Sequence, residues 1–356
     1  MRREFVPSFD VPSDEESAAA PSSVPAVAFV IEDADLVMLG MSPERPVPTP
    51  LIDFCRAALA LLALRPDEVK LVIAGDLVES VKARLPDGPY RDSFDLDRGA
   101  GSVGAKTLVV DGEVHVVFPA FLFLDSDAAR QHLPPEDAEQ IVASDEARAN
   151  MARRTAIHEA QHVAMEQAGE DNPDFSAAGW ARQNFLNVAH QVISEYRAEL
   201  GVPRELREEH ETDFPLESLR HLQAALQRYV VTYHGLGDVD RLAYEVVQET
   251  HHLWKALAYV AAARRVMGFE TGAPFPDDVA ESDLWRLMAE DHWDDLERLL
   301  SDIPPGGVRV GPSDLERWTD ELADALNAWL TDFGFVWEDL ADGRSRFWME
   351  PADFIF

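Results

Sequence analysis

The most informative stretch of the sequence is Thr155-Ala156-Ile157-His158-Glu159-Ala160-Gln161-His162-Val163-Ala164-Met165. Two imidazoles four positions apart lie about 40° apart around an α-helix, so both can bind one metal ion. Glu159 is turned about 100° from His158, which is too far for the same chelate but suits a base beside the metal. Its neighbours in the stretch carry no charge, as a helix buried around a metal requires.

The spacing of the surrounding residues predicts which face of this helix is buried. A stripe at intervals of four, three, four and three residues consists of Met151, Thr155, His158, His162 and Met165. Such spacing is typical of the interior face of an amphipathic helix. We therefore expect both histidines to point into the protein.

A metal site of this kind needs a third protein ligand, and the best candidate lies downstream. The pattern of residues 184–200 is helical and ends at Gly201. Within it Glu195 and Glu199 share a face, although a solvated face paired with Arg197 would explain the same two acids. Two further residues stay open as the third ligand, Glu166 and His190.

Together the two motifs resemble those of the gluzincin metallopeptidases, in which a ligand glutamate is followed four residues later by an acid. Here the segment reads Glu195-Tyr196-Arg197-Ala198-Glu199, with Glu where the family more often has Asp. The resemblance spans Thr155 to Leu200 and implies a Zn²⁺ ion held by His158, His162 and Glu195. It also implies that Glu199 orients a ligand histidine, and that Glu159 is the general base for hydrolysis of a peptide bond by a metal-activated water.

The gluzincins commonly stabilise the oxyanion with a Tyr or His from a later helix. The available candidates are Tyr233, His234, His251 and His252. Each also has an ordinary explanation, since His234 beside Gly235 is typical of a helix C-cap and the other pair falls within a long helix predicted from Asp238 to Met267.

The predicted fold class is α+β and zincin-like, with a small N-terminal mixed sheet followed by a predominantly helical region. A helix is predicted at 51–64, a strand at 70–74 and a hairpin of 107–110 with 114–118 across Asp111-Gly112. In zincins the edge strand of such a sheet binds extended peptide by strand addition. The alternative is a hairpin paired entirely within its own sheet. Further helices are predicted at 216–233, 238–267, 283–300 and 313–332.

Four segments follow from these patterns: a disordered tail at 1–24, an α/β part with the edge hairpin at 25–135, a helical zinc-binding catalytic part at 136–268 and an acidic helical part at 269–356. The glycine-rich segment 99–107 contains GxGxxG. It runs into a strand, whereas nucleotide-binding motifs need a helix N-terminus, so we expect a mobile loop and a conceivable flap over the edge strand.

Composition limits the partners. The formal net charge is −35, which disfavours nucleic acid and anionic membranes and favours a peptide or protein substrate that is basic. A salt-adapted or high-GC source would produce the same acidity, and we favour that explanation. One cysteine, Cys55, excludes an intrachain disulfide and a Cys-based zinc site. With no signal or transmembrane pattern, a cytoplasmic location is expected.

A second function stays open, namely a non-catalytic zinc-binding regulatory or interaction protein. Glu159 favours the enzyme, because a structural zinc site needs no base. The sequence does not determine the oligomeric state.

Overall fold

The computed structural model describes residues 27–44, 46–96 and 104–350. The predicted disordered tail at 1–24 and most of the predicted mobile loop, residues 99–103, lie outside these ranges. The described chain has an α+β fold that is mainly helical and carries one small mixed sheet.

The helices follow one another along the whole described chain. They are α1 (Pro50–Leu62), α2 (Leu77–Lys82), α3 (Pro89–Asp92), α4 (Ser126–His132), α5 (Pro135–Ala143), α6 (Asp145–Ala168), α7 (Trp180–Leu200), α8 (Leu216–Leu236), α9 (Val239–Met267), α10 (Asp277–Ala280), α11 (Asp283–Met288), α12 (Glu290–Ser301) and α13 (Pro312–Asp332). Short 3₁₀ turns lie at Pro66–Glu68, Ala120–Phe123, Arg204–Leu206 and Glu209–Thr212.

The main sheet precedes the helix that carries both histidines. Its strands are β1 (Ala28–Glu32), β2 (Val69–Ala74), β3 (Lys106–Val110) and β4 (Glu113–Pro119), in the spatial order β1-β2-β4-β3. β1, β2 and β4 run parallel, and β3 pairs antiparallel with β4 at one edge. Asp111 and Gly112 both have positive φ, as a two-residue hairpin turn requires. The predicted strand and hairpin are confirmed.

Two large apolar clusters form most of the core. One face of the sheet packs with α1 and with the alanine-rich side of α6, which contributes Ala152, Ala156, Ala160 and Val163. The second cluster joins α7, α8, α9 and α13. α6 and α7 lie against each other between the two clusters. The predicted segment boundaries at 135/136 and 268/269 remain predictions.

Three features of the second half differ from the sequence-based expectation. The helix predicted at 283–300 is broken into α11 and α12, because Ala289 leaves the helical conformation with φ of −133°. A hairpin of β5 (Phe335–Asp339) and β6 (Ser345–Met349) follows α13 and was not predicted. α8 continues past His234 and Gly235, so neither is the C-cap; Gly237, with φ of 71°, ends the helix.

Among the described residues, no helix has both the length and the apolar character needed to cross a lipid bilayer.

Candidate metal centre

Helix α6 presents both histidines, and its packing explains which face is buried. Residues 156–161 are all buried, because the sheet and α1 cover one side and α7 covers another. Met151 is the exception in the predicted interior stripe, since half of its surface is exposed near the start of the helix. The stripe therefore faces the interior only over the last turns, where His158 and His162 lie.

Three side chains converge where α6 meets α7. The Nε2 atoms of His158 and His162 are 3.2 Å apart. Glu195 Oε2 lies 3.5 Å from the first nitrogen and 3.8 Å from the second. A point equidistant from these three atoms is about 2 Å from each, which is the length of a zinc–nitrogen or zinc–oxygen bond. In the described part of the chain, His158, His162 and Glu195 thus form a group that can hold a metal ion.

The outer nitrogen of each ring contacts an oxygen that fixes its tautomer. His158 Nδ1 is 2.9 Å from Glu199 Oε1. His162 Nδ1 is 3.2 Å from the hydroxyl of Ser194, which itself donates to Asp171 Oδ1 at 2.8 Å. With a proton on Nδ1, each imidazole has its Nε2 lone pair free for a metal. The donor set and its support therefore suit a divalent cation.

Glu199 is the most heavily supported carboxylate of the site. It is 2 % exposed, and its Oε2 accepts hydrogen bonds from Arg154 at 2.9 Å and from Arg207 at 3.2 Å. Burial opposes its ionisation, but the hydrogen bond with His158 and the charges of His158 and both arginines lower its pKa to about 2. Glu199 is therefore a fixed anion beside His158.

Two residues of α9 bind the carboxylate of Glu195. The ammonium of Lys255 pairs with Oε1, and the hydroxyl of Tyr259 donates to Oε2 at 2.5 Å. Despite burial, Lys255 and hydrogen bonds with the two histidines hold the pKa of Glu195 well below its usual range. Burial and the nearby acids raise the pKa of Tyr259 well above its usual value, so its hydroxyl stays protonated. Neither residue was among the candidates expected from the sequence.

The imidazoles respond to the same acids. Burial disfavours a charge on His162, but hydrogen bonds with Asp171 and Glu195 raise its pKa to about 10. The pKa of His158 is also raised, by Glu195 and Glu199 against the effect of burial. The cluster of carboxylates thus favours positive charge at the point where the three ligand atoms converge.

Glu159 lies beside this group without joining it. Its carboxylate is 6 % exposed, and its Oε2 accepts a hydrogen bond of 2.6 Å from the hydroxyl of Thr107 on β3. The edge strand of the sheet therefore reaches the residue that the sequence motif indicates as a base.

Glu166 and His190 lie outside the ligand group, and the four oxyanion candidates remain candidates. Glu166 accepts a hydrogen bond from Asn172 at 2.7 Å, and buried His190 packs edge-on against Phe175. Tyr233 contacts His234, which is exposed, near the end of α8. His251 and His252 stack on α9, with ring centroids 5.6 Å apart. The α9 residues that contact Glu195 are Lys255 and Tyr259, further along the helix.

A signal for Tyr259 was present but indirect. It lies eight residues after His251 on α9, the helix that carries two of the four oxyanion candidates. Nothing local to Thr107, Asp171 or Ser194 indicates a site, because each acts only through a tertiary contact.

Comparison of the chain with protein-family models, with curated proteins and with solved structures finds no match.

Proposed function

We propose that this chain is a zinc-dependent hydrolase of peptide bonds with a zincin-like arrangement of the gluzincin type. One observation carries the proposal. Three ligand atoms of the right chemistry surround a point about 2 Å from each, and the Nδ1 atom of each imidazole contacts an oxygen, which leaves Nε2 for the ion. Glu159, the neighbour of His158, supplies the base that a purely structural site does not need.

The chemistry divides between the ion and the chain. A bound zinc ion would polarise the substrate carbonyl and lower the pKa of a water molecule. Glu159 accepts a proton from the water that attacks the carbonyl carbon and delivers it to the leaving amine as the carbon–nitrogen bond breaks. Tyr259 joins the four candidates from the sequence as a donor to the developing oxyanion, because its hydroxyl stays protonated and lies beside the three ligand atoms. In this role the hydroxyl exchanges its hydrogen bond to Glu195 Oε2 for one to the oxyanion.

The substrate in this proposal is an extended peptide, preferably basic. β3 forms an edge of the sheet and carries Thr107, so a peptide added along this edge would pass close to Glu159. The formal charge of −35 attracts cationic peptides and repels nucleic acid. A cytoplasmic location is part of the proposal, to which a single and buried cysteine is suited.

The direct test compares the wild type with Glu159→Gln. Both proteins are loaded with zinc, their metal content is measured, and each is incubated with peptide libraries of equal length, one rich in Lys and Arg and one rich in Asp and Glu. We expect equal zinc content, cleavage of the basic library by the wild type, and a loss of about 10²-fold or more in the variant.

Two outcomes would contradict the proposal. Cleavage by Glu159→Gln at the wild-type rate would exclude Glu159 as the base. A wild type that holds zinc but cleaves neither library would favour the alternative, a non-catalytic zinc-binding protein.

A further inference from the structure

The base residue of the motif is held by a hydrogen bond from outside its own helix. Thr107 Oγ1 donates to Glu159 Oε2 at 2.6 Å, across a sequence separation of 52 residues. Glu159 is almost completely buried, while Thr107 is half-buried at the edge of the sheet. The hydroxyl of Thr107 therefore restrains one oxygen of the Glu159 carboxylate.

The strand determines where this hydroxyl points. Thr107 pairs with Val116 on β4, and Val116 belongs to the core between the sheet and α6. Because cross-strand partners lie on the same face of a sheet, the side chain of Thr107 also faces α6. A β-branched side chain has few χ1 rotamers, so the hydroxyl moves little once the strand is in place.

We propose that Thr107 is a positioning residue for Glu159. The inference rests on the proposed function and deepens it. A glutamate on a helix has several rotatable bonds, and a base must lie within hydrogen-bonding distance of the proton that it takes. The bond from Thr107 fixes Oε2 and leaves Oε1 for the proton of the attacking water. A misplacement of about 1 Å at such a site can cost about 10²-fold in rate.

Two substitutions at this one position separate positioning from packing. Thr107→Val keeps the shape and removes the hydroxyl, whereas Thr107→Ser keeps the hydroxyl and removes the methyl group. If the hydroxyl positions the base, kcat falls about 10–100-fold in the valine variant, with KM and zinc content unchanged. The serine variant then stays near the wild-type kcat. Packing alone predicts the opposite order, because serine loses the buried methyl group and the preference for a strand.

A second measurement does not need catalysis. In the metal-free protein, a double-mutant cycle of Thr107→Val with Glu159→Ala, which removes the accepting carboxylate, compares the unfolding equilibrium constants of four proteins. If the hydrogen bond is present, the change in the unfolding equilibrium constant of the double variant should differ by about tenfold or more from the product of the two single changes.

The outcomes distinguish the inference from the function on which it rests. A wild type that cleaves peptide, together with Thr107→Val at the same kcat, or single effects that simply multiply in the cycle, would overturn the inference alone. A zinc-loaded wild type without cleavage would overturn the proposed function and the positioning role together. A lowered kcat restored by serine, with coupling in the cycle, supports the inference.

Discussion

His158 and His162 come from the same helix but are held by different partners. His158 Nδ1 lies 2.9 Å from the carboxylate of Glu199, whereas His162 Nδ1 lies 3.8 Å from Asp171 Oδ2 and contacts Asp171 also through the hydroxyl of Ser194. The shorter contact with an anion whose pKa is about 2 makes His158 the more firmly held of the two imidazoles. The support of His162 depends on the loop between α6 and α7, in which Asp171 lies.

Asp171→Asn should therefore weaken zinc binding without removing the site. The amide keeps the shape of the side chain, but it lacks the negative charge that strengthens His162 as an electron-pair donor to zinc. We expect the zinc affinity to fall about 10–100-fold, measured by competition with a chromophoric chelator. Asp174→Asn is the matched control, because Asp174 is exposed in the same loop and caps the N–H of Ser176. Equal affinity of Asp171→Asn and the control would contradict this support.

At the residue scale, the sequence indicated only those candidate site residues that belong to a short motif or to a helical spacing. Helical spacing placed His158, Glu159 and His162 around one axis, and the second motif brought Glu195 and Glu199 into consideration. Thr107 acts from a strand, Asp171 from a loop and Tyr259 from a distant helix. No periodicity connects such residues, so only the tertiary fold brings them together.

At the scale of elements, the site depends on how closely α7 approaches α6. A Cβ atom on Gly201 would lie 2.2 Å from the side-chain amide of Gln161. Gln161 cannot easily move, because it is buried and accepts a hydrogen bond from the N–H of Gly307. Glycine at the end of α7 thus permits the contact that keeps Glu195 opposite the histidines.

Gly201→Ala should destabilise the fold, because the added methyl group has no room. We expect the free energy of unfolding in urea to fall by about 1–3 kcal/mol. Gly235→Ala is the matched control: Gly235 is also helical, but a Cβ there has no heavy atom within 4 Å. This control should be neutral or gain about 0.5–1 kcal/mol from helix propensity. Equal stability of the two variants would contradict the close contact.

A strong turn signal predicted one of the two hairpins. Asp111-Gly112 correctly indicated a hairpin, and the same dipeptide at Asp342-Gly343 marks the turn between β5 and β6. The second hairpin was not predicted, although its turn signal is present in the sequence. The break at Ala289 has no glycine or proline to indicate it, so helical periodicity continued through it.

At the scale of the whole molecule, the charge of −35 opposes the compact state. Many exposed arginines pair with acids three or four residues away, but such pairs contribute little stability. Screening by salt should therefore remove more destabilising repulsion between the acids than stabilising attraction within the surface ion pairs.

Added salt should then stabilise the protein. We expect the midpoint of thermal unfolding to rise as NaCl increases from about 0.01 M to about 1 M, because the screening length shrinks from about 30 Å to about 3 Å. KCl at equal concentration should have the same effect, since screening does not depend on which monovalent cation is present. A midpoint that falls with NaCl would show that ion pairs outweigh net repulsion.

Joint binding of one zinc ion by α6 and α7 underlies the proposed function, and measured zinc affinities test it. Zinc affinity is determined for the metal-free wild type, Glu195→Gln and Glu166→Gln, the last being a matched change in a nearby acid that lies outside the ligand group. We predict tight binding by the wild type and Glu166→Gln, and a loss of more than about 100-fold in Glu195→Gln. Wild-type affinity in Glu195→Gln, or a wild type that binds no zinc, would contradict the account.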